Sequence, residues 1–379
     1  MDTKNEKKSI LTNGSVQTLL ASLVCIILGL LVGYIVLLII NPAGAGRAIT
    51  TILKNFLYFP RPEIALEYFG STLAKSAPLL MCTLSVLFAY KVGLFNIGAS
   101  GQFTVGAGFA LYFAIHYNAP WWVCILLAVF GGAILGAAAG ALKAYLNVNE
   151  VIACIMLNWI SLYSVNTVLT AVKESGTTYT LPLRTNNPAA IIPHLGLQNL
   201  FSNNRYVTIA IPLSVIFAVL VWVLLEKTKL GYELKATGLS VNAAKYAGMK
   251  EKKNMILTMA ISGGLAGLGA GFLYLSGIEQ WSCAQTAVPN MGFNGIAAAF
   301  LGGLHPIGAV FSSFFIQHIT SGGAYVDKMV YCSQISDLIA AIIIYFCGFV
   351  LFFKHCMNQQ IQKAEDKKNR AVTKKGGEE

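Results

Sequence analysis

VQTLLASLVCIILGLLVGYIVLLII, residues 16–40, runs for a full bilayer crossing without one charged side chain. Spanning a hydrocarbon core of ~30 Å takes about 20 apolar residues at ~1.5 Å each. Lys4, Lys7 and Lys8 stand before the run, which is longer than the ~7–15-residue core of a cleavable signal peptide. It is therefore expected to be an anchored first helix with its N-terminus in the cytoplasm. Comparable stretches recur at about 69–90, 96–116, 121–142, 150–172, 206–225, 254–275, 288–303, 306–320 and 335–353. The pair around 288–320 is the weakest, being short, glycine-rich and separated only by Gly302-Gly303-Leu304-His305-Pro306. The expected fold is an all-α polytopic membrane protein with about ten transmembrane helices, some broken or re-entrant, and both termini cytoplasmic. Residues 1–353 form one transmembrane domain, and 354–379 form a charged tail too poor in apolar residues to pack.

Composition agrees. Of 379 residues, 56% are hydrophobic and 11% charged, against roughly 45–50% and 25% in soluble domains, which excludes a soluble enzyme. The net charge of +11 does not indicate nucleic acid, because the basic residues are not interleaved with aromatics on one face. Of the 27 Lys and Arg residues, 19 fall in 1–15, 91–95, 143–149, 226–253, 304–305 and 354–379. The excess of cations in cytoplasmic loops sets the orientation. The eight cysteines include no CxxC pair and mostly sit in apolar runs, so no metal site is expected. Cys283 and Cys332 both fall on the external side, where a disulfide could form.

No GxxxxGK[ST], HExxH or GxSxG stretch occurs, so no catalytic residue is expected and the chain cannot hydrolyse ATP alone. The acidic residues nearest the spans, Glu67, Glu150, Glu279 and Asp337, lie at span ends and are read as interfacial. Neutral polar residues are more informative. Gly93 to Gln102 breaks an apolar stretch with three glycines, Asn96 and Gln102, and irregular backbone survives in a bilayer only when it is buried in protein or lines a cavity. Further clusters are Asn147 to Glu150 leading to Asn158-Trp159, and Pro289-Asn290-Met291-Gly292-Phe293-Asn294-Gly295. Carboxamides both donate and accept hydrogen bonds, and aromatic rings stack on flat solutes. Phe95, Asn96, Gln102, Asn158, Trp159, Asn290, Phe293 and Asn294 are thus the expected lining of a path for a neutral polar solute. The other reading is interhelical hydrogen bonding without solute contact. Gly132, Gly136 and Gly140, and likewise Gly263, Gly267 and Gly271, recur every four residues, as expected of helices in close approach. A hinge at Gly263-Gly264 is the second reading.

The segment 226–253 holds seven basic residues. Within it Ser240 is a suitable helix N-cap and Gly248 a suitable C′ residue. They bracket about seven residues, a helix of roughly 10 Å that needs a surface to pack on, with Ala243, Ala244 and Ala247 on one face. The segment 173–205 carries Pro182, Pro188, Pro193, Asn186-Asn187 and Asn203-Asn204, a composition of turns.

GLFNIGASGQ (93–102), NEVIACIMLNWI (149–160), ATGLSVNAAKYAGM (236–249) and GFNGIAAAFLGGLHPIG (292–308) resemble the permease subunits of bacterial ABC importers for nucleosides and simple sugars. These belong to the larger group that includes ribose and branched-chain amino-acid permeases. The resemblance covers most of 60–353 in order. It departs at Ser100, where such permeases more often carry an acidic residue. It implies a second homologous permease subunit, cytoplasmic ATPase subunits that carry the ATP and magnesium, and an extracytoplasmic substrate-binding protein, often a lipoprotein. It also implies location in the bacterial plasma membrane, with nucleosides the first expected substrate and simple sugars the next. A short helix between membrane helices couples such permeases to the ATPase, which gives Gly238, Ser240, Asn242, Ala243, Ala244, Ala247 and Gly248 that expected role and turns 173–205 toward the binding protein. A self-sufficient secondary carrier or channel is the alternative from another class.

Overall fold

The computed structural model describes residues 14–327, 329–331, 335–350 and 352–360. Among the described residues, ten helices follow the apolar runs: α1 (Gly14–Ile40), α3 (Pro62–Lys91), α4 (Ala99–His116), α5 (Trp121–Leu146), α6 (Glu150–Leu169), α8 (Ala210–Lys227), α11 (Glu251–Tyr274), α12 (Asn290–Leu301), α13 (Pro306–Gly323) and α14 (Ile335–Cys347). Between them lie α2 (Pro42–Lys54), α7 (Leu183–Asn186), α9 (Lys229–Leu239) and α10 (Val241–Tyr246). No β-sheet occurs among the described residues, only two isolated bridges, Lys173 with Thr180 and Tyr179 with Ser282. The fold is all-α and polytopic.

Six of the described helices are long and apolar enough to cross a membrane: 20–40, 62–91, 121–146, 150–172, 210–227 and 251–274. The expectation of a crossing at 288–303 needs correction. Its helix α12 has 12 residues, about 18 Å at 1.5 Å each, and cannot span ~30 Å by itself. The segment before it, 284–289, is not helical, because Pro289 lacks the amide hydrogen a helix interior needs. The span expected at 335–353 is likewise interrupted, by a turn at Gly348-Phe349, after which 352–360 is helical. The rest of the charged tail, Cys332 and the side chain of Asp337 lie outside the described residues.

Between the first two expected spans, in a stretch with no expected element, lies the amphipathic helix α2. Asn41 caps it by accepting from the Gly44 amide at 3.1 Å, and Ala45, Ala48 and Ile52 face inward. Asn55, fully buried, donates to Thr72 Oγ1 at 3.2 Å and lies 3.2 Å from His318 Nδ1. This ties α2 to α3 and α13.

Helix α11 is the hub, packed on α3, α4 and α5 and buried along most of its length. The two glycine stripes meet here. A Cβ on Gly132 would collide with the Gly263 carbonyl oxygen, one on Gly136 with that of Met259, and one on Gly267 with that of Ala128. Backbone is in contact with backbone, as small residues permit where lipid provides no hydrophobic drive. A second cluster joins α1, α2, α12, α13 and α14 around Leu37, Ile52, Ile319 and Ile339.

The segments expected in the cytoplasm gather at one end. Lys143 pairs with Glu150 at 2.9 Å and Lys235 with Glu226 at 3.0 Å, while the Lys252 ammonium sits 5.1 Å over the Tyr145 ring. At the opposite end the 173–205 segment forms short turns fastened to helix ends. Asn187 Nδ2 donates to the carbonyls of Ala114 and Ala119 at 2.8 and 3.0 Å, and the buried Trp281 indole donates to Asn166 Oδ1 at 2.9 Å.

Candidate functional site

Helix α3 ends at Lys91, and residues 92–98 turn back into the protein before α4 begins. This break carries the polar residues singled out above. Asn96 Nδ2 donates to Gln102 Oε1 and to Ser262 Oγ, both at 2.7 Å, and Gln102 Nε2 returns a bond to Asn96 Oδ1 at 3.1 Å. Ser262 Oγ donates to the Ser85 carbonyl at 2.7 Å, and the Ser85 and Ser262 hydroxyls lie 3.0 Å apart. Asn158 on α6 closes the broken ends by accepting from the Gly101 amide at 2.8 Å and donating to the Ile97 carbonyl at 3.2 Å. Asn96, Gln102 and Asn158 are all buried. They bond to one another and to the loose backbone. In this conformation burial and internal bonding occupy these donors and acceptors. Ser85 and Ser262, missed in the sequence because lone serines in apolar helices carry no signal, complete the network.

The remaining predicted residues stand differently. Asn290, Phe293 and Asn294 share a face of α12 at i, i+3 and i+4, with Asn290 and Phe293 exposed and Asn294 half-buried. The start of α12 abuts the start of α4, where a Cβ on Gly292 would strike Ser100. The Ser100 hydroxyl is buried there without a hydrogen-bond partner. Phe95 is half-buried and meets Tyr90 edge-on at 6.3 Å, and Tyr90 in turn meets Phe300 at 5.2 Å. Trp159 is exposed and stacks on Tyr163 at 6.2 Å. Thus the structure brings Asn96, Gln102 and Asn158 together as an internal knot, while Asn290, Phe293, Asn294 and Trp159 reach the protein surface.

In the 226–253 segment, Thr228 caps α9 by accepting from the Gly231 amide at 3.0 Å. Ser240 caps α10 by accepting from the Ala243 amide at 3.3 Å. Gly248 takes φ 78°, the left-handed conformation glycine adopts without penalty. The helix between them has six residues. One expectation about its faces needs correction. Ala244 is only 3% exposed and packs into the chain, while Ala243, Ala247 and Asn242 are exposed. The large side chains offered outward are Leu239, 89% exposed, and Tyr246, 94% exposed. Beside them a cleft of about 520 Å3 opens between α9 and the start of α11, lined by Lys229, Tyr232, Glu233, Ala247, Lys250 and Lys253 among others.

This elbow touches the broken helix. A Cβ on Gly238 would collide with the Val92 carbonyl, and one on Gly93, whose φ is 80°, would come within 2.7 Å of the Gly238 oxygen. Asn254 Nδ2 donates to Thr237 Oγ1 at 2.9 Å, clamping α9 to α11. These contacts join α9 to the turn that presents Asn96. No group of three His, Cys, Asp or Glu side chains suited to a metal occurs among the described residues.

Residues 68–348 match the family model described as branched-chain amino acid transport system / permease component. The nucleoside ABC transporter permease protein NupB of Lactococcus lactis is 31% identical over 97% of this chain and 99% of its own length. The guanosine ABC transporter permease protein NupP of Bacillus subtilis is 31% identical over 86% of this chain and 92% of its own. A glucose ABC transporter permease protein of Haloferax volcanii is 27% identical over 77% and 79%. No solved structure matches the chain. The chain belongs to the branched-chain amino acid transport system permease-component family and is a multi-pass protein of the plasma membrane.

Proposed function

We propose that the chain is the membrane subunit of an ATP-driven importer for nucleosides, with simple sugars as the second substrate class. The observation that carries the substrate reading is the length of the match to the nucleoside permease, almost end to end, where the glucose permease covers 77%. Permease components are not enzymes themselves; ATP and magnesium belong to separate ATPase subunits. A substrate-binding protein delivers the solute at the external face built from 173–205, and a second, homologous permease completes the membrane part. The names of the nucleoside, guanosine and glucose ABC transporter permeases favour the ATP-driven importer over a self-sufficient carrier.

The coupling surface is Leu239, Tyr246 and Ala247 with the adjoining cleft, rather than an alanine face that includes Ala244. Two exposed apolar side chains at a cytoplasmic elbow favour a protein partner. A push on α9 reaches Gly93 and then the Asn96–Gln102 knot. The solute passes the exposed face of α12, where Asn290 and Asn294 supply hydrogen bonds and Phe293 supplies a ring.

The test is uptake by the complete assembly in proteoliposomes, with labelled guanosine, adenosine, uridine, ribose and glucose offered one by one. The expected result is ATP-dependent accumulation of nucleosides in preference to glucose. Glucose uptake without nucleoside uptake would refute the substrate reading, and ATP-independent accumulation would refute the mechanism.

A further inference from the structure

The described residues enclose a second small cavity, unrelated to the broken helix. It has a volume of about 240 Å3 and lies toward the external end between α3, α13 and the turns at 206 and 278. Its walls include Tyr68, Ser71, Lys75, Tyr206, Ser321 and Tyr325. Lys75 is thirteen residues into a 30-residue helix, about 20 Å along some 45 Å. It is half-buried and has no ion pair or hydrogen bond among the described residues. An ionisable side chain within a membrane-spanning helix is costly and marks a functional site by default.

The aromatic walls are held in fixed orientations. Phe59 stacks on Tyr68 at 4.4 Å and 9°, and Tyr325 meets Tyr68 edge-on at 5.2 Å. Arg184 and Arg205 sit 5.6 and 5.0 Å from the centre of the Tyr206 ring. Ser71 accepts a bond from Asn204 at 2.7 Å and Ser321 one from Gln317 at 3.0 Å, which leaves each hydroxyl its own proton to donate. No carboxylate lines the cavity. The site therefore combines flat aromatic faces with a surplus of donors, one of them cationic. It calls for a flat ring edged with acceptors. The volume lies below the ~300–1,000 Å3 of drug-sized sites, enough for one small ring solute.

We infer that this cavity is an external solute subsite that holds a nucleoside through the ring of its base, with Lys75 donating to a ring carbonyl oxygen. The inference rests on the nucleoside reading above and adds a preference to it. Bases with an oxo group, such as guanine, hypoxanthine and uracil, accept a hydrogen bond from the lysine ammonium, whereas adenine carries an amino group at the corresponding position and brings donor against donor.

The test uses the assembled transporter in nanodiscs without its binding protein, so that the permease's own preference is read. Equilibrium binding of labelled guanosine is competed with adenosine and with guanosine monophosphate. A hydrogen bond to a charged group makes a difference of roughly ten- to a hundredfold. Guanosine is expected to outcompete adenosine by about tenfold. Lys75→Met is expected to weaken guanosine at least about tenfold and adenosine less than about twofold, and Lys75→Arg to retain most of the affinity. If Lys75→Met fails to assemble, Tyr325→Leu is expected to weaken both nucleosides through the lost ring. Unchanged guanosine binding in the variants, or no preference over adenosine, overturns the inference. Tighter, Lys75-dependent binding of guanosine monophosphate also overturns it, because the site would then be one for anions. Absence of nucleoside uptake by the wild-type assembly with its binding protein would instead refute the proposed function, so the two failures are distinguishable.

Discussion

Adding one methyl group to Gly136 should separate α5 from α11. The new Cβ would collide with the Met259 carbonyl oxygen, and because both partners are main chain, no side-chain rotation relieves it. The helices must part by on the order of 1 Å, and a gap of even 0.5–1 Å forfeits about a quarter to a half of each van der Waals contact along the seam. Overpacking of this kind costs about 1–3 kcal/mol. Against it stands the higher helix propensity of alanine, about 0.5–1 kcal/mol. The net expectation for Gly136→Ala is a loss of about 1–2 kcal/mol. Gly271→Ala is the control: its Cβ would meet Ala128 Cβ and Ile125 Cγ1 at 3.6 Å, ordinary contact, so the propensity gain should stand alone. Because the propensity gain is common to both, two single-methyl variants on the same helix pair should differ by the overpacking cost alone, about 1–3 kcal/mol. Heating the purified variants in detergent and following the monodisperse fraction by size exclusion reads the difference as a midpoint shift of several degrees, Gly136→Ala the lower. Equal midpoints, or a higher one for Gly136→Ala, would refute the claim that backbone contact holds this seam.

Other expectations follow from burial and exposure. Asn96→Leu and Asn158→Leu each strand buried partners, costing about 1–3 kcal/mol, and should lower the yield of folded protein, whereas Asn290→Leu, at an exposed position, should leave yield intact; normal thermal stability of Asn96→Leu would contradict the knot. Leu239→Asp and Tyr246→Asp should leave the permease folded and reduce co-purification of its ATPase, while Ala244→Arg should fail earlier, at folding; undiminished ATPase recovery in both Asp variants would move the coupling surface elsewhere. Burial raises the pKa of the Cys283 thiol, with Lys173 opposing in part. Because the thiolate is the nucleophile, labelling of Cys283 by an impermeant maleimide from outside should be slow at pH 7 and keep rising beyond the ordinary thiol range near pH 8.5; a rate already level at pH 8 would contradict the shift.

What could be read from the sequence was whatever repeats. Apolar runs of twenty or so residues and glycines at four-residue intervals are periodic signals, and the structure makes helices of the first and close helix contacts of the second, down to Gly132 against Gly263. Single residues were legible by type but not by direction. Ser240 and Gly248 take the cap and the positive φ that their chemistry favours, yet Ala244 faces inward, because a six-residue helix is rotated by what its neighbours bury rather than by its own sequence. Asn96, Gln102 and Asn158 stand out in the sequence as misfits in an apolar stretch, but a carboxamide answers equally to a solute and to a frayed helix end, and in this conformation Asn158 bonds the Gly101 amide and the Ile97 carbonyl. Lys75 was the reverse case. Counted among the cations outside the cytoplasmic segments, it draws no notice, because a window drawn from residue 69 puts it within two turns of the span's start and the depth of a side chain depends on where its helix begins. Helix α3 begins at Pro62, seven residues earlier. That shift carries a lone lysine from the rim of the protein to a tyrosine-walled cavity, and turns an unremarkable charge into the first residue to mutate.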